Sequence, residues 1–218
     1  MTVIKFPVLV AIMFLMCPSI PAQDRSSPGN SANIAASGRE DRHEGLSIVA
    51  DPYTDMARAK DKFGKANPLE IGILPIEVFI RNETADPIRI DLNTVQLEVR
   101  LRSGPRQDID WMTVAEVANA IAHPGGARPP SQRRLPVPVP LPSKDKNVVK
   151  LAEILKPLTL DADVIAPKGS VHGFLYFNVN RDVSIVSRSS LYVPNVEVIP
   201  TNKVLMFFDV PLGGAPRE

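Results

Sequence analysis

The sequence predicts a mainly β protein, an antiparallel β-sandwich with two or three short inserted helices. Three observations carry that expectation. Residues 73–101 alternate apolar and polar side chains at period two, with Ile76, Val78 and Ile80 on one strand face and, after a turn at 82–87, Ile88, Ile90 and Leu92 on another. The same rhythm returns over residues 158–210, broken by turn residues. No strand–helix–strand alternation of the kind that builds parallel sheets lies along the chain.

The 218-residue chain begins with an apolar run from Phe6 to Cys17 behind a single lysine, then prolines and a small residue at Ala22. Such a run is too short for a membrane span, which needs about 20 apolar residues, and fits a secretory signal peptide over residues 1–22. An exported protein, secreted, periplasmic or at the cell surface, is therefore expected, with no transmembrane span after signal cleavage. Met16 is bulky where a lipidation signal requires a small residue, which argues against anchoring at Cys17. Cys17 is the sole cysteine, so cleavage near Gln23 leaves neither a disulfide nor a thiol nucleophile. Stability must come from a hydrophobic core, which a chain of this length can supply as one domain. The net charge of +1 falls to about zero without Lys5, a balance that disfavours nucleic acid as a partner.

Residues 23–45 are rich in Ser, Gly, Asn and charge and read as a disordered leader or tether. The domain itself is expected over 46–212, followed by a disordered tail at 213–218. A short strand at 46–50 precedes a helix, with Asp51 as its cap, Pro52 in its first turn, Gly64 as its stop, and Tyr53, Met56 and Phe63 on its buried side. Residues 73–101 read as two antiparallel strands about the Asn- and Pro-containing turn 82–87. In the second strand the inward residues shift from Ile88, Ile90 and Leu92 to Val95, Leu97, Val99 and Leu101, so a bulge or corner near Asn93 and Thr94 must absorb one residue. Corners of that kind carry strands from one sheet of a sandwich to the other.

Residues 111–157 read as an insertion. Thr113 and Glu116 form a capping box, and Val114, Val117, Ala118 and Ile121 follow at helical spacing until Pro124 and its two glycines. A second helix is expected over 144–155, with Val148, Leu151, Ala152 and Leu155 on one side and Pro157 after it. Between the helices seven of the nineteen residues 124–142 are proline, a composition that favours polyproline II and excludes a sheet ladder. Arg128, Arg133 and Arg134 in this strap form the candidate interaction surface, for a protein or envelope component. Beyond it, residues 170–179 carry apolar residues on both faces, Val171, Leu175, Phe177 and Val179 against Phe174 and Tyr176, and should form a central strand.

Two stretches carry a family resemblance. "EVFIRNETADPIRIDLNTVQLEV" resembles the strand, Asn-containing turn and Pro-Ile strand of bacterial secreted immunoglobulin-like domains of the immunoprotective extracellular antigen type, and "APKGSVHGFLYFNV" is similar to the turn and G-x-L-x-F strand they place later. The resemblance implies an immunoglobulin-like β-sandwich, exported or at the cell surface, with no established catalytic role. It implies no catalytic, cofactor-binding or metal residues.

Direct inspection for chemistry leads the same way. His43, His123 and His172 are not at metal-ligand spacing, and solvated or structural roles are expected for them. Asp161 with Asp163, and Asp51 with Asp55, are candidate calcium carboxylates, but no EF-hand spacing accompanies them and edge carboxylates are the simpler reading. There is no G-x-S-x-G and no phosphate-cradling glycine loop. The expected function is a noncatalytic binding, adhesion or envelope-associated module without a cofactor. The alternative is a secreted hydrolase or its accessory subunit, since sites assembled by folding leave no local motif.

Overall fold

The computed structural model describes residues 39–101, 104–125 and 145–213. The expected signal peptide, most of the leader and tail, and the strap carrying Arg128, Arg133 and Arg134 lie outside the described residues.

In chain order the strands are β1 (Glu40–His43), β2 (Leu46–Pro52), β3 (Ile73–Asn82), β4 (Ile88–Ile90), β5 (Gln96–Val99), β6 (Gln107–Met112), β7 (Val164–Ile165), β8 (Ser170–Asn178), β9 (Ser189–Val193), β10 (Val196–Val198), β11 (Lys203–Val204) and β12 (Phe208–Pro211). Among the described residues three α-helices interrupt them: α1 (Met56–Phe63), α2 (Val114–Ala122) and α3 (Lys146–Leu155). The protein is mainly antiparallel β. A large sheet runs β1-β2-β3-β8-β6-β5-β9-β12 and a small one β11-β10-β4-β7.

The large sheet curls until its two outer strands meet. There the Asp209 N–H of β12 donates to the Asp41 carboxylate of β1 at 2.8 Å, and the His43 ring stacks on Phe208 with centroids 3.9 Å apart. The curl brings the sheet close to a barrel and covers the edges that an open sheet would expose.

The phase slip expected near Asn93 and Thr94 is a corner between sheets: β4 belongs to the small sheet and β5 to the large one. A 3-10 turn at Leu92–Thr94 absorbs the extra residue, with the Asp91 side chain accepting from the Asn93 N–H at 3.1 Å. Similar changes of sheet separate β7 from β8, β9 from β10 and β11 from β12. Between β9 and β10 lie Pro194 and Asn195, where a residue without an N–H ends one ladder at no cost to the next.

Four local expectations are corrected. The strands flanking 82–87 do not pair with each other. β3 pairs with β2 and β8, while β4 pairs with β10 and β7. The fully buried Asn82 explains the difference. Its amide nitrogen donates to the carbonyls of Asp86 at 2.8 Å and Ala166 at 3.1 Å, and its oxygen accepts from Thr84 N–H at 2.9 Å, so the turn is tied to the segment after β7. Asp51 and Pro52 complete β2 opposite Glu77 and Ile76, and α1 starts later, capped by Asp55, whose carboxylate accepts from the Arg58 N–H at 2.7 Å. Met56 is accordingly 47% exposed, although Tyr53 and Phe63 are buried. Leu101 is 40% exposed because β5 ends at Val99. Residues 40–43, expected in the disordered leader, form β1, because the turn at Glu44 and Gly45, both at positive φ, folds them back onto β2.

The core has two parts, one on each side of β8. Leu175 and Phe177 face a cluster built from both sheets, including Ile80, Ile88, Ile90, Leu97, Val196 and Phe208. Phe174 and Tyr176 face a second cluster beneath the helices, with Tyr53, Phe63, Val117, Val148 and Leu155. Apolar residues on both faces of residues 170–179 therefore have the predicted cause, a central strand between β3 and β6.

Candidate groove between the inserted helices and the small sheet

The capping box forms as the spacing predicts: Thr113 Oγ1 accepts from the Glu116 N–H at 3.3 Å and the Glu116 carboxylate accepts from the Thr113 N–H at 2.7 Å. Asp145 caps α3 by accepting from the Asn147 N–H at 2.8 Å. The same carboxylate lies 3.3 Å from Nε2 of His123 at the end of α2, so the far ends of the two helices are held together. Val117, Ala118, Val148 and Leu155 seat the pair on the sheet.

The opposite flanks of α2 and α3 and the end of the small sheet enclose a groove of about 1430 Å³. Its floor is apolar, from Ile90, Leu92, Trp111, Val148, Ala152 and Leu160, most of which also belong to the buried core. The floor is held by backbone bonds between its walls: the Ile90 N–H donates to Asp163 O at 2.8 Å and the Asp91 N–H to Asn195 O at 3.1 Å. A rigid floor of this kind stays in place without a ligand.

The rim is strongly acidic. Asp91, Glu116, Glu153, Asp161, Asp163 and Glu197 line it, against Arg89 and Lys156. Asp91 and Glu116 act as caps, but Glu153, Asp161, Asp163 and Glu197 make no ion pair within 4.0 Å among the described residues. Asp161 and Asp163, read from the sequence as edge carboxylates, are exposed and stand on this rim. The rest of the groove escaped the sequence reading. Its walls come from five separate stretches, and only the excess of carboxylates between 153 and 163 gave a local signal.

Other chemistry-bearing residues occupy structural positions. Asp51 is buried and paired with Arg39, Nη1 to Oδ1 at 3.1 Å, and with Arg58. Arg58 also lies over the Tyr53 ring at 3.7 Å, and the Tyr53 hydroxyl donates to Glu77 at 2.8 Å, with Lys62 3.7 Å from the same carboxylate. Burial, and then the Glu77 carboxylate, push the Tyr53 hydroxyl far above its usual range. This network fastens α1 to β2 and β3. It also occupies Asp51, while Asp55 caps α1.

The three histidines sit apart in function: His43 on Phe208 and 3.3 Å from Asp41, His123 beside Asp145, and His172 stacked on Phe79 at 5.6 Å. Among the described residues no group of three or more His, Cys, Asp or Glu could hold a metal ion, and no helix is long and apolar enough to cross a membrane. No family model matches the chain, nor does any curated protein or solved structure.

Proposed function

We propose that the chain is an exported, noncatalytic binding module of immunoglobulin-like type, and that it holds a protein or envelope component in the groove beside α2 and α3. The observation that carries this reading is the groove itself. Its volume of about 1430 Å³ exceeds the roughly 300–1,000 Å³ usual for small-molecule pockets, and its apolar floor is rigidly tied to the core. A surface of that size suits a segment of a macromolecule. Strands that change between two antiparallel sheets, and the G-x-L-x-F strand at Gly173–Phe177 in the centre of the larger one, support the immunoglobulin-like reading. One side of the groove is formed by α2 and α3, which belong to the inserted part of the chain, where a common scaffold acquires particular function.

Photo-crosslinking tests the proposal. Val149 lines the groove and is 43% exposed, whereas Val183, 36% exposed in the turn Val183–Arg188, does not line it. A benzophenone amino acid at Val149 should give a discrete adduct in the native envelope that the same probe at Val183 does not. Identical or absent adducts from the two positions would refute the groove as a binding site. Reproducible turnover of ester, glycan or peptide substrates by the purified chain would replace the module with a hydrolase.

A further inference from the structure

We infer that the groove takes a cationic peptide segment, one whose arginine or lysine side chains alternate with aliphatic ones. The inference rests on the binding-module reading and adds the chemistry of the occupant. Among the described residues six carboxylates stand on the rim against two cations, in a chain whose net charge is only +1. The acidity is therefore local to the groove and does not reflect the whole surface.

Four of these carboxylates, Glu153, Asp161, Asp163 and Glu197, have no cationic partner within 4.0 Å among the described residues. Arg89 stands directly across the strand pair from Glu197, yet the two do not close an ion pair. An acidic rim beside a low-dielectric floor favours a guanidinium or ammonium group and disfavours an anionic ligand. Arginine has the further advantage of a planar fork that can bridge two carboxylate oxygens.

Charge alone does not describe the site, because its floor is aliphatic with a single indole, Trp111. A simple polyamine would leave that floor wet. A divalent cation is disfavoured as well, since among the described residues no three carboxylates converge on one position. A peptide that turns alternate residues to floor and rim satisfies both surfaces, as extended and polyproline segments do.

Fluorescence anisotropy tests this with three labelled 12-residue peptides: one alternating arginine and leucine, one with glutamate in place of arginine, and one with serine in place of leucine. The arginine–leucine peptide should bind, and binding should weaken several-fold as salt rises. The triple variant Glu153→Gln, Asp163→Asn, Glu197→Gln removes exposed or half-exposed carboxylates that hold no ion pair, so it should melt as the parent does. It should bind the peptide about tenfold more weakly, since each exposed charge pair contributes a factor of about two to five. Equal binding of the glutamate peptide, or unchanged affinity in the triple variant, would overturn the cationic occupant while leaving the Val149 adduct and the module reading intact. Failure of all three peptides together with loss of the adduct would overturn both. A variant with residues 127–141 replaced by a Gly-Ser linker completes the set. Binding seen only in that variant would overturn the external partner and assign the groove to the chain's own Arg- and Pro-rich segment.

Discussion

Replacing Gly173 by alanine should destabilise the protein by about 3 kcal/mol. A Cβ at this position would lie 2.5 Å from Leu160 N, 2.6 Å from Leu160 Cα and 2.8 Å from Thr159 C, all backbone atoms that cannot rotate away. The segment joining α3 to β7 crosses β8 here, with the Leu160 N–H donating to Phe174 O at 3.1 Å and Leu160 itself buried. Relieving the clash requires that crossing segment to lift by roughly 0.5–1 Å. The lost backbone bond costs about 1 kcal/mol. Partial exposure of Leu160 adds about 1 kcal/mol, and residual overpacking about 1–3 kcal/mol. Against this, alanine restricts the unfolded chain and stabilises by only about 0.4–1 kcal/mol, so the steric term wins. Urea unfolding at unchanged m-value measures the difference, and the melting temperature should fall by about 6–12 °C. A loss under about 0.5 kcal/mol would refute the close crossing. Because Leu160, Asp161 and Asp163 lie on the displaced segment, the variant should also weaken whatever binds the groove.

Truncating the fully buried Phe208 to alanine should cost about 3–5 kcal/mol in the same assay, since it removes both core volume and the ring on which His43 stacks at the sheet's seam; a loss below about 0.5 kcal/mol would show that the inward face is wrong. Asn82→Ala leaves the Thr84 N–H and the Ala166 carbonyl without the partner that ties the turn to the small sheet, and should cost about 2–4 kcal/mol by chemical denaturation. Loss under about 1 kcal/mol would mean that water replaces the amide. Alkaline stability follows from Tyr53 and Tyr176. Burial pushes the Tyr176 hydroxyl up to about 12, and burial with Glu77 pushes Tyr53 further. Both folded values are raised, so above about pH 10 the unfolded chain loses these protons first. Stability should fall as pH rises through pH 10 to 12, by up to about 1.4 kcal/mol per pH unit per tyrosine. Ultraviolet titration of phenolate absorbance alongside melting checks the sign, and early ionisation of both residues without unfolding would refute it.

Strand faces were legible in the sequence because period-two alternation depends only on neighbours within a strand. Ile76, Val78, Ile80, Leu97, Leu175 and Phe208 are all buried as that alternation predicts, and the slip at Asn93 and Thr94 marks a real corner. Capping was legible where the signal was reciprocal, as with Thr113 and Glu116, and misplaced where two aspartates competed. Asp51 and Asp55 both precede a helical stretch, and only the pairing of Asp51 with Arg39 and Arg58 inside the fold decides between them. Strand partners were not legible. The turn at 82–87 has the composition of a hairpin, but its buried Asn82 spends its amide on the chain beyond β7, a contact 84 residues away. The groove was hidden for the same reason, since its floor and rim are assembled from residues between Arg89 and Glu197.

The corners and the groove have one physical origin. β4 is three residues long and turns at Asp91, so Ile90 and Leu92 line the groove at the end of the small sheet. In a plain sandwich a loop would close over that end. Here α2 and α3 stand beside it, fixed by their caps and by the His123–Asp145 pair at the far end, and they cover the sheet through Val117 and Leu155 without covering the corner. The crossing segment at Leu160, admitted by the missing side chain of Gly173, then forms the remaining wall and brings Asp161 and Asp163 to the rim. The groove and the change of sheet meet at the same turn.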